Sequence, residues 1–367
     1  MTGLTDFSSR AFKMIVHFAY ETEELVLLNQ QVLSRAVPEL LRAHRYAHHL
    51  VVIAREVADW LLQNIALTPK DHATLEQIKR DYTQTADLIR RCSNLIRVRN
   101  VSAPHIIAEG KFINVDLQVV AQPYLLERSA LVVEDLQTDG RLYSLLLDYL
   151  KNKVGVPYLS YEIMHGGGSR TMDVATDKAA DKRIVCAIFD TDRKRPLDTK
   201  PNKVRLIEEA ADRLNWPLLS AVAPNCREIE NIVPFRIAKA LPCAVDNKSI
   251  ADIESIISID LQIGALSSEF YWLYFDLKAG CDFEKLEKMS NQEDVNWIKS
   301  KIDVVRKGRV TGKISGFGPN VIPQLLDHAQ SNPDFKTFVN SKDWWDYFGD
   351  HFSYLMWICA APRASFT

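Results

Sequence analysis

The sequence lacks a dominant charge. Lysine and arginine number 45 against 47 aspartates and glutamates, a formal net charge of −2 over 367 residues. The chain as a whole therefore has no pull on nucleic acid or an anionic membrane, and any phosphate recognition must come from local patches. Long apolar runs are missing too. None approaches the ~20 residues that cross a bilayer, and residues 1–13 do not pair a basic n-region with an apolar h-region. A cytoplasmic protein without membrane contact is expected. Cysteine pairs are absent: Cys92, Cys186, Cys226, Cys243, Cys281 and Cys359 stand singly, with no C-x-x-C and no Cys/His pair at finger spacing. That argues against a structural zinc module and leaves them as buried thiols of a reducing compartment. No G-x-x-x-x-G-K-[ST] frame occurs, so glycines 166–168 read as a permissive turn, not a phosphate loop, and any ATPase is a separate chain.

What is present is an ordinary globular composition, 47% hydrophobic and 25% charged, long enough for two or three domains. Residues 1–105 read as an all-α helical bundle. Leu41, His44, Ala47, Val51, Ala54, Ala58, Leu61 and Ile65 advance by threes and fours, as one helix face does. Thr68, Pro69 and Asp71 supply a helix start, and Leu75, Ile78, Tyr82, Thr85, Ile89, Cys92 and Ile96 alternate like a bundle seam. Self-association through this region is one expectation. Residues 106–128 read as an extended connector because 111–120 alternate apolar and polar.

From residue 129 short apolar runs alternate with helical stretches, the pattern of a parallel α/β sheet flanked by helices. Strands are expected at 130–134, 157–163, 184–189 and 218–223, and helices at 139–151, 171–182 and 203–214, within a domain of residues 129–245. Residues 246–367 read as a mainly helical C-terminal region, whose aromatic stretch from Trp344 to Trp357 docks on a core.

Two of the strands end in acid: ALVVEDLQTD over 130–139 and IVCAIFDTD over 184–192. Buried parallel strands deliver such residues to the open end of a sheet, where doubly wound folds keep their sites. Neighbouring strands lie ~4.8 Å apart. Glu134, Asp139, Asp190 and Asp192, with Glu228 and Glu230 downstream, would crowd there and need a cation or protons. Oxygen donors without His or Cys point to Mg²⁺ or Mn²⁺. In an extended segment Asp190 and Asp192 would point the same way.

The order strand-Glu, helix, strand with glycines, helix, strand-Asp-x-Asp resembles the TOPRIM domain. Arg227-Glu-Ile-Glu-Asn231 is similar to the E-I-E-N segment of its nuclease branch, the stand-alone and OLD-type enzymes of bacterial anti-phage systems. Asp135 stands where that family usually has glycine, and the interval from Glu134 to Asp139 is one residue longer than its common form. The resemblance implies a metal-dependent nuclease on DNA or RNA, with two Mg²⁺ or Mn²⁺ ions. Asp190 and Asp192 would hold one ion, Glu134 would be ligand or general base, and Asp139 with Glu228 or Glu230 would complete a second ion site. Lys278 would neutralise charge on the phosphate. Arg193, Lys194 and Arg195 would grip the nucleic-acid backbone or form a solvated loop. A homo-oligomer and a separate ATPase subunit are the implied partners.

Two other functions stay open. One is a TOPRIM-like subunit that binds nucleic acid or acts as a scaffold without cutting. The other rests on Arg99 and His105, whose spacing resembles the R-x(4–6)-H motif of HEPN ribonucleases, small helical bundles that cut RNA without metal. The plainer reading of that pair is a helix end with exposed polar residues, since Pro104 disfavours continued helix at its neighbour.

Overall fold

Residues 15–115, expected as a bundle and a connector, carry a five-stranded sheet of order β2-β1-β3-β5-β4. The computed structural model describes residues 15–363 apart from 92–94, 104, 111, 123, 156–157, 197–200, 243–244, 264–269, 307–311 and 332. Cys92 and Cys243 therefore lie outside the described residues. The elements run β1 (Ile15–Phe18), α1 (Thr22–Val26), α2 (Gln30–Arg45), β2 (Leu50–Ile53), α3 (Arg55–Asn64), α4 (Pro69–Arg91), β3 (Leu95–Val98), β4 (Ile106–Glu109), β5 (Phe112–Val115) and α5 (Leu117–Val120). Only β4 is antiparallel to its neighbour.

The all-α expectation fails for a definite reason. The helical stripe drawn through Ala47, Val51 and Ala54 is a helix, a strand and a second helix. Ala47 takes the left-handed conformation at φ 53° just beyond α2, and all four residues of β2 are buried. A strand buried on both faces is apolar at every position, so it supplies matches to any period, including a helical one. The second stripe likewise runs past its helix, since its last residue, Ile96, lies in β3, where Leu95, Ile96 and Val98 are buried. The start of α4 does follow its local signal: Asp71 N donates to Thr68 Oγ1 at 3.2 Å, and Thr68 Oγ1 donates to Asp71 Oδ2 at 2.6 Å.

Residues 106–115 belong to this sheet, not to a connector, because β5 runs parallel to β3 and is paired on its far side by β4. The chain then passes to a second sheet, held to the first where His49 Nε2 hydrogen-bonds Glu127 O at 2.7 Å and His48 Nδ1 hydrogen-bonds Leu126 O at 3.2 Å.

The second unit comprises β6 (Ser129–Val133), α6 (Arg141–Leu150), β7 (Tyr158–Leu159), β8 (Tyr161–His165), α7 (Thr171–Ala180), β9 (Val185–Ile188), α8 (Asn202–Leu214) and β10 (Leu219–Val222). Its four-stranded sheet has the order β10-β9-β6-β8 and is parallel throughout. Every residue of β6 and β9 is buried, as central parallel strands must be. Register aligns their ends: Val133 faces both His165 and Ile188, and Ile188 faces Val222. All four strands thus finish at one level, and the residues that follow them meet.

The rest is mainly helical: α9 (Phe235–Lys239), α10 (Asn247–Ile263), β11 (Gly280–Asp282), α11 (Phe283–Glu287), α12 (Gln292–Arg306), β12 (Lys313–Ser315), α13 (Val321–Ser331), α14 (Pro333–Val339), α15 (Lys342–Ile358) and β13 (Ala360–Ala361). α15 buries Trp344, Phe348, Phe352 and Leu355 and packs on α6. Beyond it, Ile358 O accepts from Ser129 Oγ at 2.8 Å, and β13 pairs with β7. The C-terminal segment is thereby fastened to the root of β6. No described helix is long and apolar enough to cross a membrane.

Candidate active site

Glu134 leaves the end of β6 at the point where the chain turns, and two loops fix it there. The first is Leu136–Gly140, a π-helical turn in which Gly140 N donates to Asp135 O, five residues back, at 3.0 Å. A π turn holds one more residue than an α turn. The turn brings Asp139 back to the strand end, where its Oδ2 accepts from Asp135 N at 3.0 Å. The Asp135 side chain caps the turn, its Oδ1 accepting from Gln137 N and Thr138 N at 2.7 and 2.9 Å.

The second loop follows β8. Gly166 N donates to Val133 O at 2.7 Å, while Gly167 N and Gly168 N both donate to Glu134 O at 3.1 Å. A Cβ on Gly166 would lie 2.7 Å from Val133 O and 2.3 Å from Thr171 Oγ1, so this close approach admits only glycine. The glycine run holds the backbone of Glu134.

After β9, Asp190 accepts from Ile229 N at 3.1 Å, while Thr191 Oγ1 donates to Cys226 O at 2.5 Å. Asp192 then enters the left-handed region at φ 54°. That twist ends the extended run. Asp190 stays partly buried at the strand mouth and Asp192 is exposed, so the expectation that the two point the same way does not hold.

Glu228 caps a single 3₁₀ turn, Ile229–Ile232, and Glu230 lies within it. Asn231 pins that turn: its Oδ1 accepts from Glu228 N at 3.0 Å, and its Nδ2 donates to Trp272 O and Phe275 O at 2.7 and 2.8 Å. The aromatic segment is thus the wall behind the two glutamates. It leads to Lys278, whose backbone is held by Gly318 N donating to its O at 3.0 Å. Lys278 Nζ reaches Glu230 Oε1 at 2.7 Å and Glu228 Oε2 at 3.2 Å.

These groups share one field. Burial, then Glu230, Asp139, Glu228 and Glu134 in that order, raise the Asp190 carboxyl well above the ordinary carboxylate range. Glu230, 1% exposed, is pushed up to about 8 by burial and by Glu228, against the pull of Lys278. Burial acts upward on Glu228 as well, but its hydrogen bond with Glu230 and the charges of Lys278 and Arg227 bring it below its usual value. Burial raises Asp139. The two glutamates are therefore pushed apart, Glu230 upward and Glu228 downward.

Of the expected residues, Glu134, Asp139, Asp190, Glu228, Glu230 and Lys278 come together, and Asp192 stands on the rim. The basic run is placed otherwise. Arg193 is buried at 8% exposure, and Arg195 is paired with Glu293 and, at 2.9 Å, with Asp294 on α12. Lys194 lies 3.9 Å from Met289 Sδ. The run ties the Asp-x-Asp loop to the C-terminal segment. Arg195 is not a free backbone grip, because the acids of α12 claim its charge. Arg99 and His105 lie between β3 and β4 of a sheet, not at the end of a bundle helix, and His105 is left-handed at φ 68°. The helical scaffold on which the metal-free ribonuclease reading rests is absent among the described residues.

Three residues at the site were not marked from sequence. Lys203 Nζ lies 2.6 Å from Glu134 Oε1, Asp276 pairs with Arg227 at 2.8 Å, and Tyr143 OH hydrogen-bonds the buried His351 Nε2 at 3.1 Å beneath the acids. Only Lys203 carried a signal. A cation in the first turn of a helix opposes the dipole, and α8 has no side-chain cap to offset it.

The donors are carboxylate oxygens throughout, the chemistry of a Mg²⁺ or Mn²⁺ site. Glu230 Oε1 is buried and receives no directed hydrogen bond; its 2.7 Å contact with Lys278 is ionic. Among the described residues no three His, Cys, Asp or Glu side chains are placed to hold a metal ion, and Glu134 and Glu230 are paired with Lys203 and Lys278. The residues fit a hard cation by type, burial and uncompensated charge. No model of a known protein family matches the chain, and neither a curated protein nor a solved structure does.

Proposed function

We propose that this protein is a TOPRIM-type, metal-dependent nuclease that cleaves phosphodiester bonds in DNA or RNA. One observation carries the reading: Glu134, Asp139, Asp190, Glu228 and Glu230 reach one end of a parallel sheet from separate segments, where burial and their mutual field raise the carboxyls of Asp190 and Glu230. Such a cluster is costly without a cation, and clusters of this kind mark functional sites. One or two Mg²⁺ or Mn²⁺ ions would be held by Asp190, Glu230 and Glu228, with Glu134 and Asp139 completing the set. A bound ion supplies Lewis acidity toward the phosphate and a nucleophile at neutral pH.

The chain's own residues do the rest. Glu134, fixed by the glycine loop, takes the proton of the attacking water at its carboxylate. Lys278 Nζ, standing over Glu228 and Glu230, balances charge developing on the phosphate oxygens. By resemblance the proposal extends to an effector of bacterial anti-phage defence that works as an oligomer beside a separate ATPase. Cleavage of plasmid, single-stranded DNA or total RNA with Mg²⁺ or Mn²⁺, abolished by EDTA and by Asp190→Asn with Glu134→Gln, is the expected result.

A second reading is a non-cutting subunit that binds nucleic acid or acts as a scaffold. It draws on the ion pairs of Lys203 and Lys278, which neutralise part of the acidic cluster without any metal. Binding without cleavage in either ion would favour it.

A further inference from the structure

Two lysine ammoniums stand at opposite ends of the acid cluster. Lys278 is held by two carboxylates and by the loop at its backbone. Lys203 differs. Its one ion pair among the described residues is with Glu134, at 2.6 Å, and its side chain is 40% exposed, with the Phe189 ring 5.8 Å from Nζ. It sits on the second residue of α8, where the positive end of the helix repels it, so Glu134 is its only compensation among the described residues.

An ammonium and a divalent ion compete for Glu134, because two cations a few ångströms apart repel at the low effective dielectric of a half-buried site. A metal arriving at Glu134 therefore displaces Lys203. The displaced ammonium is on a flexible stem, faces solvent at the mouth of the site, and has lost its counter-charge. The anion nearest to such a site in use is a phosphate of the bound polynucleotide.

We propose that Lys203 is a built-in counter-cation of Glu134 that competes with the divalent metal and passes to a nucleic-acid phosphate once the metal binds. Metal and polynucleotide then bind with positive coupling, each making room for the other. The inference rests on the metal-dependent reading above, and it assigns Lys203 a role in loading, not in the chemical step.

The test uses the full chain with Mn²⁺ as probe. Free Mn²⁺ is measured by electron paramagnetic resonance during titration of wild type, Lys203→Met, Lys203→Gln and Lys203→Arg, first without polynucleotide and then with poly(dT) or poly(U). Without polynucleotide, the neutral variants are expected to bind Mn²⁺ about tenfold more tightly than wild type, a change of one ion-pair-sized increment, while Lys203→Arg stays close to wild type. With whichever polymer the wild type binds, the increase in Mn²⁺ affinity caused by the polymer is expected to shrink in the neutral variants, and the salt slope of polymer binding to fall by about 1.

Equal or weaker Mn²⁺ binding by folded Lys203→Met and Lys203→Gln would overturn the inference while leaving the metal reading intact. Wild type that binds Mn²⁺ no better than the Asp190→Asn, Glu134→Gln double variant would overturn the metal reading itself, and the inference with it.

Discussion

Lys278 Nζ stands 2.7 Å from Oε1 of Glu230, a carboxyl only 1% exposed whose other close neighbour is a second glutamate. In the metal-free protein this lysine is the chief compensation for a buried pair of acids. Removing one partner of a buried pair costs more than the pair contributes, because the remaining charge is stranded.

Lys278→Met should therefore lower stability near pH 8 without divalent ion. Discounted for the lysine's 44% exposure, the loss is about 1–2 kcal/mol. Adding Glu230→Gln should recover part of it. Thermal denaturation of the single and double variants checks this, and Mg²⁺ should also restore the single variant.

Asp135 and Asp139 lie four residues apart and act differently. Asp135→Ala removes the cap of the π turn, a loss of ~1 kcal/mol, and should leave cleavage within a few-fold of wild type. Asp139→Asn keeps a side-chain acceptor for Asp135 N and should leave the melting temperature nearly unchanged while cleavage is lost. Parallel melts and cleavage assays separate the two.

Burial pushes His44 and His49 down to about 4 and His351 down to about 3. An unfolded histidine titrates near 6.5. Below that pH the unfolded chain takes up protons that the folded chain refuses, so the stabilisation is complete above about 6.5 and is lost as pH falls toward 4. At pH 5 the loss is ~2 kcal/mol for each such group. Urea unfolding at pH 7 and pH 5 should show it, and His49→Gln should make the slope shallower. Glu230 has the opposite sign: its raised value stabilises the fold below about 4.5, an effect lost as pH rises through about 8.

Arg195→Ala should behave as a loss of internal bracing. Its partners Glu293 and Asp294 lie on α12, and Asp294 is 5% exposed, so the change strands a buried carboxylate and costs about 1–3 kcal/mol. The salt slope of polynucleotide binding should stay at the wild-type value, which a backbone-gripping arginine would not allow.

Much of the second sheet was legible because short buried strands closed by acids, with helices between them, match few folds besides a parallel α/β sheet. The first sheet was not. β2 is buried on both faces, and a continuous apolar run matches a helical period as well as an extended one, while β3 is only four residues long. At the site, the position of Glu134 followed from the end of β6, whereas Asp192 could not be placed because its left-handed backbone is a tertiary outcome of Arg227 O accepting from Thr191 N and Asp192 N. The π turn before Asp139 is not marked by any local sequence pattern. Arg195 and Lys203 were misjudged or missed because their partners lie 98 and 69 residues away, beyond any local pattern.

The central claim is that the acids at the end of the second sheet hold a divalent cation. Anomalous diffraction from crystals of the protein grown with Mn²⁺ tests it most directly. The account predicts at least one strong peak within ligand distance of Asp190 and bounded by Glu134 or Glu230, with Lys203 or Lys278 moved away from its carboxylate. Crystals that bind Mn²⁺ only elsewhere, with both lysines still paired to Glu134 and Glu230, would contradict it.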